Sequence, residues 1–159
     1  MEIVIAIALL GGLGLVFGLV LAAVLFMKRM SDVTSVRRWN PQNDMKYGKS
    51  IPDGTVVYEI NGPMFFADAD KFLDFSLEDN TKCVILRMSN VPSIDATAMK
   101  NIELLLTVCK SRNVTLLLSH VNPFPMTVIK KSGFYEKAGD ACFVENIDVA
   151  LKTAEEICK

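Results

Sequence analysis

The sequence predicts an α/β domain, a mixed sheet of about four to five strands with flanking helices, preceded by one transmembrane helix. Three observations carry this reading. Residues 3–27 contain no charged side chain. Two short apolar runs, CVIL at 83–86 and VTLLLS at 114–119, have the pattern of strands covered on both faces. Between them Ala98, Ile102, Leu105, Leu106 and Cys109 recur at helical spacing, so strand, helix and strand make one parallel βαβ unit.

Length and charge narrow the function classes. The chain has 159 residues; without the first apolar segment roughly 110 remain, enough for one modest core. A net charge of −1 argues against nucleic-acid binding, which needs a concentrated basic surface. Cys83, Cys109, Cys142 and Cys158 lie far apart with no C-x-x-C pair, and read as reduced thiols of a cytosolic domain.

The first segment, expected over residues 1–28, is apolar for about 25 residues, enough at about 1.5 Å per residue to cross a bilayer core of about 30 Å with tilt. A signal peptide fits poorly. Glu2 stands in place of a basic start, and Lys28 and Arg29 stand where a small-residue cleavage site belongs. Lys28, Arg29, Arg37 and Arg38 place the C-terminal side in the cytoplasm by the positive-inside rule, so the expectation is a single-pass helix in the inner (plasma) membrane with a cytoplasmic domain. Gly14, Gly18 and Ala22 fall on one helix face, either a close-packing surface for another helix or the ordinary glycine content of membrane helices. Residues 29–50 read as a polar juxtamembrane linker with Pro41 and Gly48; Lys46 and Lys49 extend its basic character, and Trp39 is either an interfacial anchor or a contact with the domain.

The domain is expected over residues 51–159. It opens with a strand at 55–60, a turn at Asn61-Gly62-Pro63, a short strand at 64–66 and a helix at 67–77 with Ala69, Phe72 and Leu73 inward. After the strand at 83–86, Arg87 ends the apolar run, 88–93 is a polar turn, and Asp95 is the N-cap of the next helix. Following the strand at 114–119, residues 127–131 make a short helix stopped by Gly133, 142–144 an edge strand, and Asn146 caps a last helix with Ile147, Ala150, Leu151, Ala154 and Ile157 on one face. The helices are expected mainly on one side of the sheet.

Catalytic chemistry has little support. His120 is the one histidine, no cysteine stands at ligand spacing from it, and neither a zinc site nor a histidine-based triad can be assembled. Asp68 and Asp70 point to different faces of a helix and read as favourable charges in its first turn. There is no G-x-x-x-x-G-K-[ST] and no G-x-G-x-x-G. The expectation is a non-enzyme with no cofactor and no metal. One candidate remains, the loop and helix start bearing Ser93, Asp95 and Thr97: its free N–H groups suit an anion or an acidic partner, and the same residues also suit plain turn and capping roles.

Three stretches carry a resemblance. ILRMSNVPSIDATAM at 85–99, IPDGTVVYEINGPMFFADADKF at 51–72 and VLFMKRMSDVT at 24–34 resemble the STAS domain of SulP-type sulfate permeases together with the membrane helix before it. The resemblance implies a STAS-like fold and the C-terminal regulatory and assembly portion of an anion transporter, with sulfate, bicarbonate or a dicarboxylate as substrate. It implies transporter membrane helices, a second copy or a cytoplasmic regulatory protein as partners, besides the membrane itself and without nucleic acid. The alternative is a membrane-anchored interaction module of the anti-sigma factor antagonist type. In those relatives a phosphorylated serine follows the motif aspartate; here Ala96 follows Asp95, and Thr97 comes one residue later.

Overall fold

The computed structural model describes residues 2–31, 34–39, 50–65 and 79–159; within the first helix, side chains are described for 11–26 and 29. That helix, α1, runs Glu2–Ser31, three residues beyond the expected end at 28. Its described side chains are exposed all round, with Leu15 at 78% and Phe17 at 73%. Among the described residues no helix is long and apolar enough to cross a membrane.

Five strands form one sheet in the order β1-β2-β3-β4-β5: β1 Ser35–Arg38, β2 Thr55–Asn61, β3 Cys83–Asn90, β4 Thr115–Ser119 and β5 Phe143–Val144. β1 pairs antiparallel with β2 and the other pairs are parallel, so the sheet is mixed as expected. The helices are α2 Ala96–Ser111, α3 Pro123–Lys131, α4 Phe134–Ala138 and α5 Ile147–Cys158, with a 3-10 turn at Asp140–Cys142.

Caps set the helix limits. The Asp95 carboxylate accepts from the Ala98 N–H at 2.8 Å and opens α2; the Asn146 side chain accepts from the Val149 N–H at 2.9 Å and opens α5. Gly133, at φ +75°, adopts the left-handed conformation that ends α3, where a side chain would be strained.

The core has two layers. Val56, Tyr58 and Ile60 of β2, Val84, Leu86 and Met88 of β3, and Leu116 and Leu118 of β4 face Ala98, Ile102, Leu105 and Cys109 of α2, with Ile129 and Phe134 completing the layer. Val57, Cys83, Ile85 and Leu117 point the other way, against Trp39 and against Ile147, Ala150, Leu151 and Ala154 of α5. The alternation of strand side chains between the faces makes both layers possible, and it corrects the expectation of helices mainly on one side.

Other expectations change too. Part of the expected linker over 29–50 is sheet: β1 supplies an edge to β2, and Trp39, only 6% exposed, donates its N–H to the Val57 carbonyl at 2.8 Å. β3 does not stop at Arg87, because Arg87 pairs with Glu59 at 2.8 Å and Met88 is fully buried. Of the strand expected at 64–66, Met64 makes a single bridge to Ile94, Phe65 is outside any strand, and residue 66 lies outside the described residues. Ile157 is 36% exposed, off the buried stripe of α5. The helix expected at 67–77, with Asp68 and Asp70, lies outside the described residues, as do Lys46 and Lys49.

Candidate functional site

A parallel strand followed by a helix places every such helix start at the C-terminal edge of the sheet. α2, α3 and α5 follow β3, β4 and β5, so all three begin at one rim. Backbone hydrogen bonds join the loops there: Gly62 N–H to the Asn90 carbonyl at 3.0 Å, Met64 N–H to the Ser93 carbonyl at 2.9 Å, and Asp95 N–H to the Met64 carbonyl at 3.0 Å. The Asn122 side-chain amide donates to the carbonyls of Ser89, at 3.0 Å, and Val91, at 2.8 Å. His120, in left-handed conformation at φ 56°, donates its N–H to the Val144 carbonyl.

The candidate residues sit on this rim. Asp95 uses one carboxylate oxygen as the cap of α2. Ser93 and Thr97 are half-buried and Ala96, between Asp95 and Thr97, is exposed. The motif is thus gathered at a helix start, as the spacing predicted. Gly14, Gly18 and Ala22 stand apart on α1: a Cβ at either glycine meets nothing within 4 Å, and Ala22 is exposed, so among the described residues nothing covers the face.

Burial pushes the Cys83 and Cys142 thiols up to about 12, and the Cys109 thiol up to about 11. Such thiols are neutral at physiological pH and poor nucleophiles. Among the described residues no group of three or more His, Cys, Asp or Glu side chains could hold a metal ion.

Two structural relationships were not read from the sequence. One is the row Glu59, Arg87 and Ser119, which β2, β3 and β4 bring side by side; the Arg87 guanidinium lies 5.9 Å from the Trp39 ring. The other is Asn122, whose side-chain amide ties the loop after β4 to Ser89 and Val91. No local signal could have found either pairing.

Comparison with known proteins places this architecture. The family model of the STAS domain matches residues 48–151. The chain is 28% identical over 139 residues to a putative sulfate transporter of Bacillus subtilis, covering 86% of this chain and 26% of that protein. It is 29% identical over 115 residues to the chloroplastic sulfate transporter 4.1 of Arabidopsis thaliana, covering 63% of this chain and 17% of that protein. The chain therefore spans about a quarter or less of the length of these curated relatives. Among solved structures, a sulfate transporter family protein from Wolinella succinogenes is 36% identical with a TM-score of 0.66, covering 75% of this chain and 98% of that one. The SulP transporter STAS domain from Vibrio cholerae is 27% identical with a TM-score of 0.58, covering 69% and 88%. The murine Slc26a9 anion transporter shares the fold at a TM-score of 0.69 and 17% identity, over 90% of this chain and 25% of that one. With its mixed five-stranded sheet, flanking helices and capped Asp95 motif, the chain belongs to the STAS domain family.

Proposed function

We propose that this chain is the C-terminal regulatory and assembly portion of a SulP-type anion transporter. α1 crosses the membrane once and the STAS domain lies on the cytoplasmic side. The observation that carries this is the reach of the likeness to a sulfate transporter. A match covering 86% of the chain extends, wherever it ends, into α1 and well beyond the domain model at 48–151. The charge-free sequence over residues 3–27, followed by Lys28 and Arg29, supports a crossing helix in that orientation. The side chains described in α1 cover only part of that length.

One helix does not form an anion pathway, which in transporters of this kind is built between several membrane helices. In this reading α1 packs against such helices and the domain biases them; sulfate, bicarbonate or a dicarboxylate is the transported class. The antagonist-type reading is disfavoured by Ala96, which offers no hydroxyl for phosphorylation.

The test of assembly is co-purification with an epitope-tagged multi-helix SulP membrane region in mild detergent. The proposal expects stoichiometric recovery, lost when Gly14→Leu and Gly18→Leu together block close approach of a neighbouring helix. Recovery of the membrane region without the chain, from membranes shown to contain both, contradicts it.

A further inference from the structure

We propose that the start of α3, Pro123-Phe124-Pro125, is an interfacial lipid anchor that seats the rim of the domain on the bilayer crossed by α1. This rests on the membrane reading of α1 given above. Three observations carry it. Phe124 is 62% exposed at the tip of a helix, while Pro125 beside it is buried and holds the turn in place. A solvent-facing phenyl ring at that position has no partner within the described part of the domain core.

The backbone of the same tip is also depleted of polar groups. A helix normally begins with N–H groups that have no intrahelical partner and that require water or a cap. Proline has none, so of the first three residues of α3 only Phe124 carries an N–H; the next, Met126, donates to the Asn122 carbonyl at 3.0 Å. Asn122 makes no side-chain cap and spends its amide on the Ser89 and Val91 carbonyls. By contrast, α2 and α5 begin with polar caps at Asp95 and Asn146. Entry of the α3 tip into the headgroup and acyl boundary leaves few backbone groups unsatisfied, which is the main cost of placing peptide in lipid.

The tether brings this tip to the membrane. Ser31 ends α1 and the Thr34 hydroxyl donates to the Pro63 carbonyl on the rim, so three residue steps, at most about 11 Å of chain, separate the two. The hydrogen bonds among residues 62–64, 89–95 and 122 fasten that point to the base of α3. Where α1 leaves the bilayer, the surface held nearest is therefore the C-terminal edge of the sheet, from which Phe124 projects. A single aromatic ring binds lipid weakly when free; on so short a tether its effective concentration at the surface is high.

The test uses the full chain reconstituted in phosphatidylcholine and phosphatidylglycerol vesicles, with part of the lipid brominated. Phe124→Trp reports the tip, and Ile157→Trp reports the far end, where the Cys158 carbonyl accepts from Lys82 Nζ at 2.9 Å. The Trp39 background is subtracted using the parent chain. The expected result is blue-shifted emission from Phe124→Trp that is lost with brominated lipid, and unquenched emission from Ile157→Trp. Vesicle flotation separates the two levels of the account. A chain that does not float with the vesicles overturns the membrane reading, and this inference with it. A chain that floats while Phe124→Trp stays unquenched overturns this inference alone, whether the tip lies in water or against protein.

Discussion

The Asn122 side-chain amide donates to the Val91 carbonyl at 2.8 Å, fastening the loop after β4 to the loop after β3. The second hydrogen of the same amide reaches the Ser89 carbonyl. One side chain thus holds together the two loops that flank the starts of α2 and α3.

Replacing Asn122 by Asp, similar in size but without the two donors, removes both hydrogen bonds. We expect a loss of about 2 kcal/mol, because the carbonyls of half-buried Ser89 and buried Val91 lose these donors, and a fall in Tm of about 10 °C for a domain of this size. Thermal unfolding followed by circular dichroism checks it; an unchanged Tm shows that the rim is held by its backbone bonds alone.

Trp39 lies outside the segment that matches the STAS family model, yet it is buried against β2 and β3. Trp39→Ala is expected to lose about 3–5 kcal/mol through the cavity it leaves. A piece beginning at residue 34 should unfold at clearly higher urea than one beginning at residue 50, which lacks β1 and leaves β2 as a bare edge. Equal midpoints would show that β1 and Trp39 add nothing to the fold.

How much of this was legible in the sequence follows from which constraints are local. β3, α2 and β4 could be read because strand and helix periodicities are carried by neighbouring residues, and Asp95, Gly133 and Asn146 because caps and stops act within one turn. β1 could not: the tetrapeptide SVRR has no strand signature and becomes a strand by pairing with the edge of β2, at register Ser35 to Asn61. That both faces of β3 and β4 are covered was legible in their unbroken apolar runs, whereas the assignment of helices to each face was not. Whether α5 covers the face bearing Val57, Ile85 and Leu117 depends on how the chain crosses over the sheet. The gathering of Ser93, Asp95 and Thr97 at a helix start was legible; the stitching of that rim by Asn122 was not.

The buried thiols make stability depend on alkaline pH. Burial raises Cys83 and Cys142 from 9.0 to about 12 and Cys109 from 9.0 to about 11. With folded values above unfolded ones, the folded state holds more protons in this range. The contribution is fully present below pH 9 and falls as pH rises toward 12. Urea midpoints should decrease across this window, and less steeply for Cys142→Ala after allowing for its lower starting stability. At pH 8 iodoacetamide should modify the half-buried Cys158 first, with Cys83, Cys109 and Cys142 reacting only on unfolding. Rapid native-state alkylation of all four contradicts this picture.

Ser119 is fully buried and its hydroxyl oxygen has no hydrogen-bond partner among the described residues. Removing an unsatisfied buried hydroxyl relieves its desolvation cost, so Ser119→Ala should be neutral or stabilise by up to about 1 kcal/mol. A clear loss in a denaturant titration would mean that the hydroxyl is bonded in solution.

The proposed action of the domain on anion transport is measured directly by flux. Labelled sulfate and bicarbonate uptake is followed in vesicles that hold a multi-helix SulP membrane region, with and without this chain. A change in rate or in apparent affinity when the inserted, folded chain is present is the predicted result. Identical uptake in both preparations, with insertion and folding verified, would contradict it.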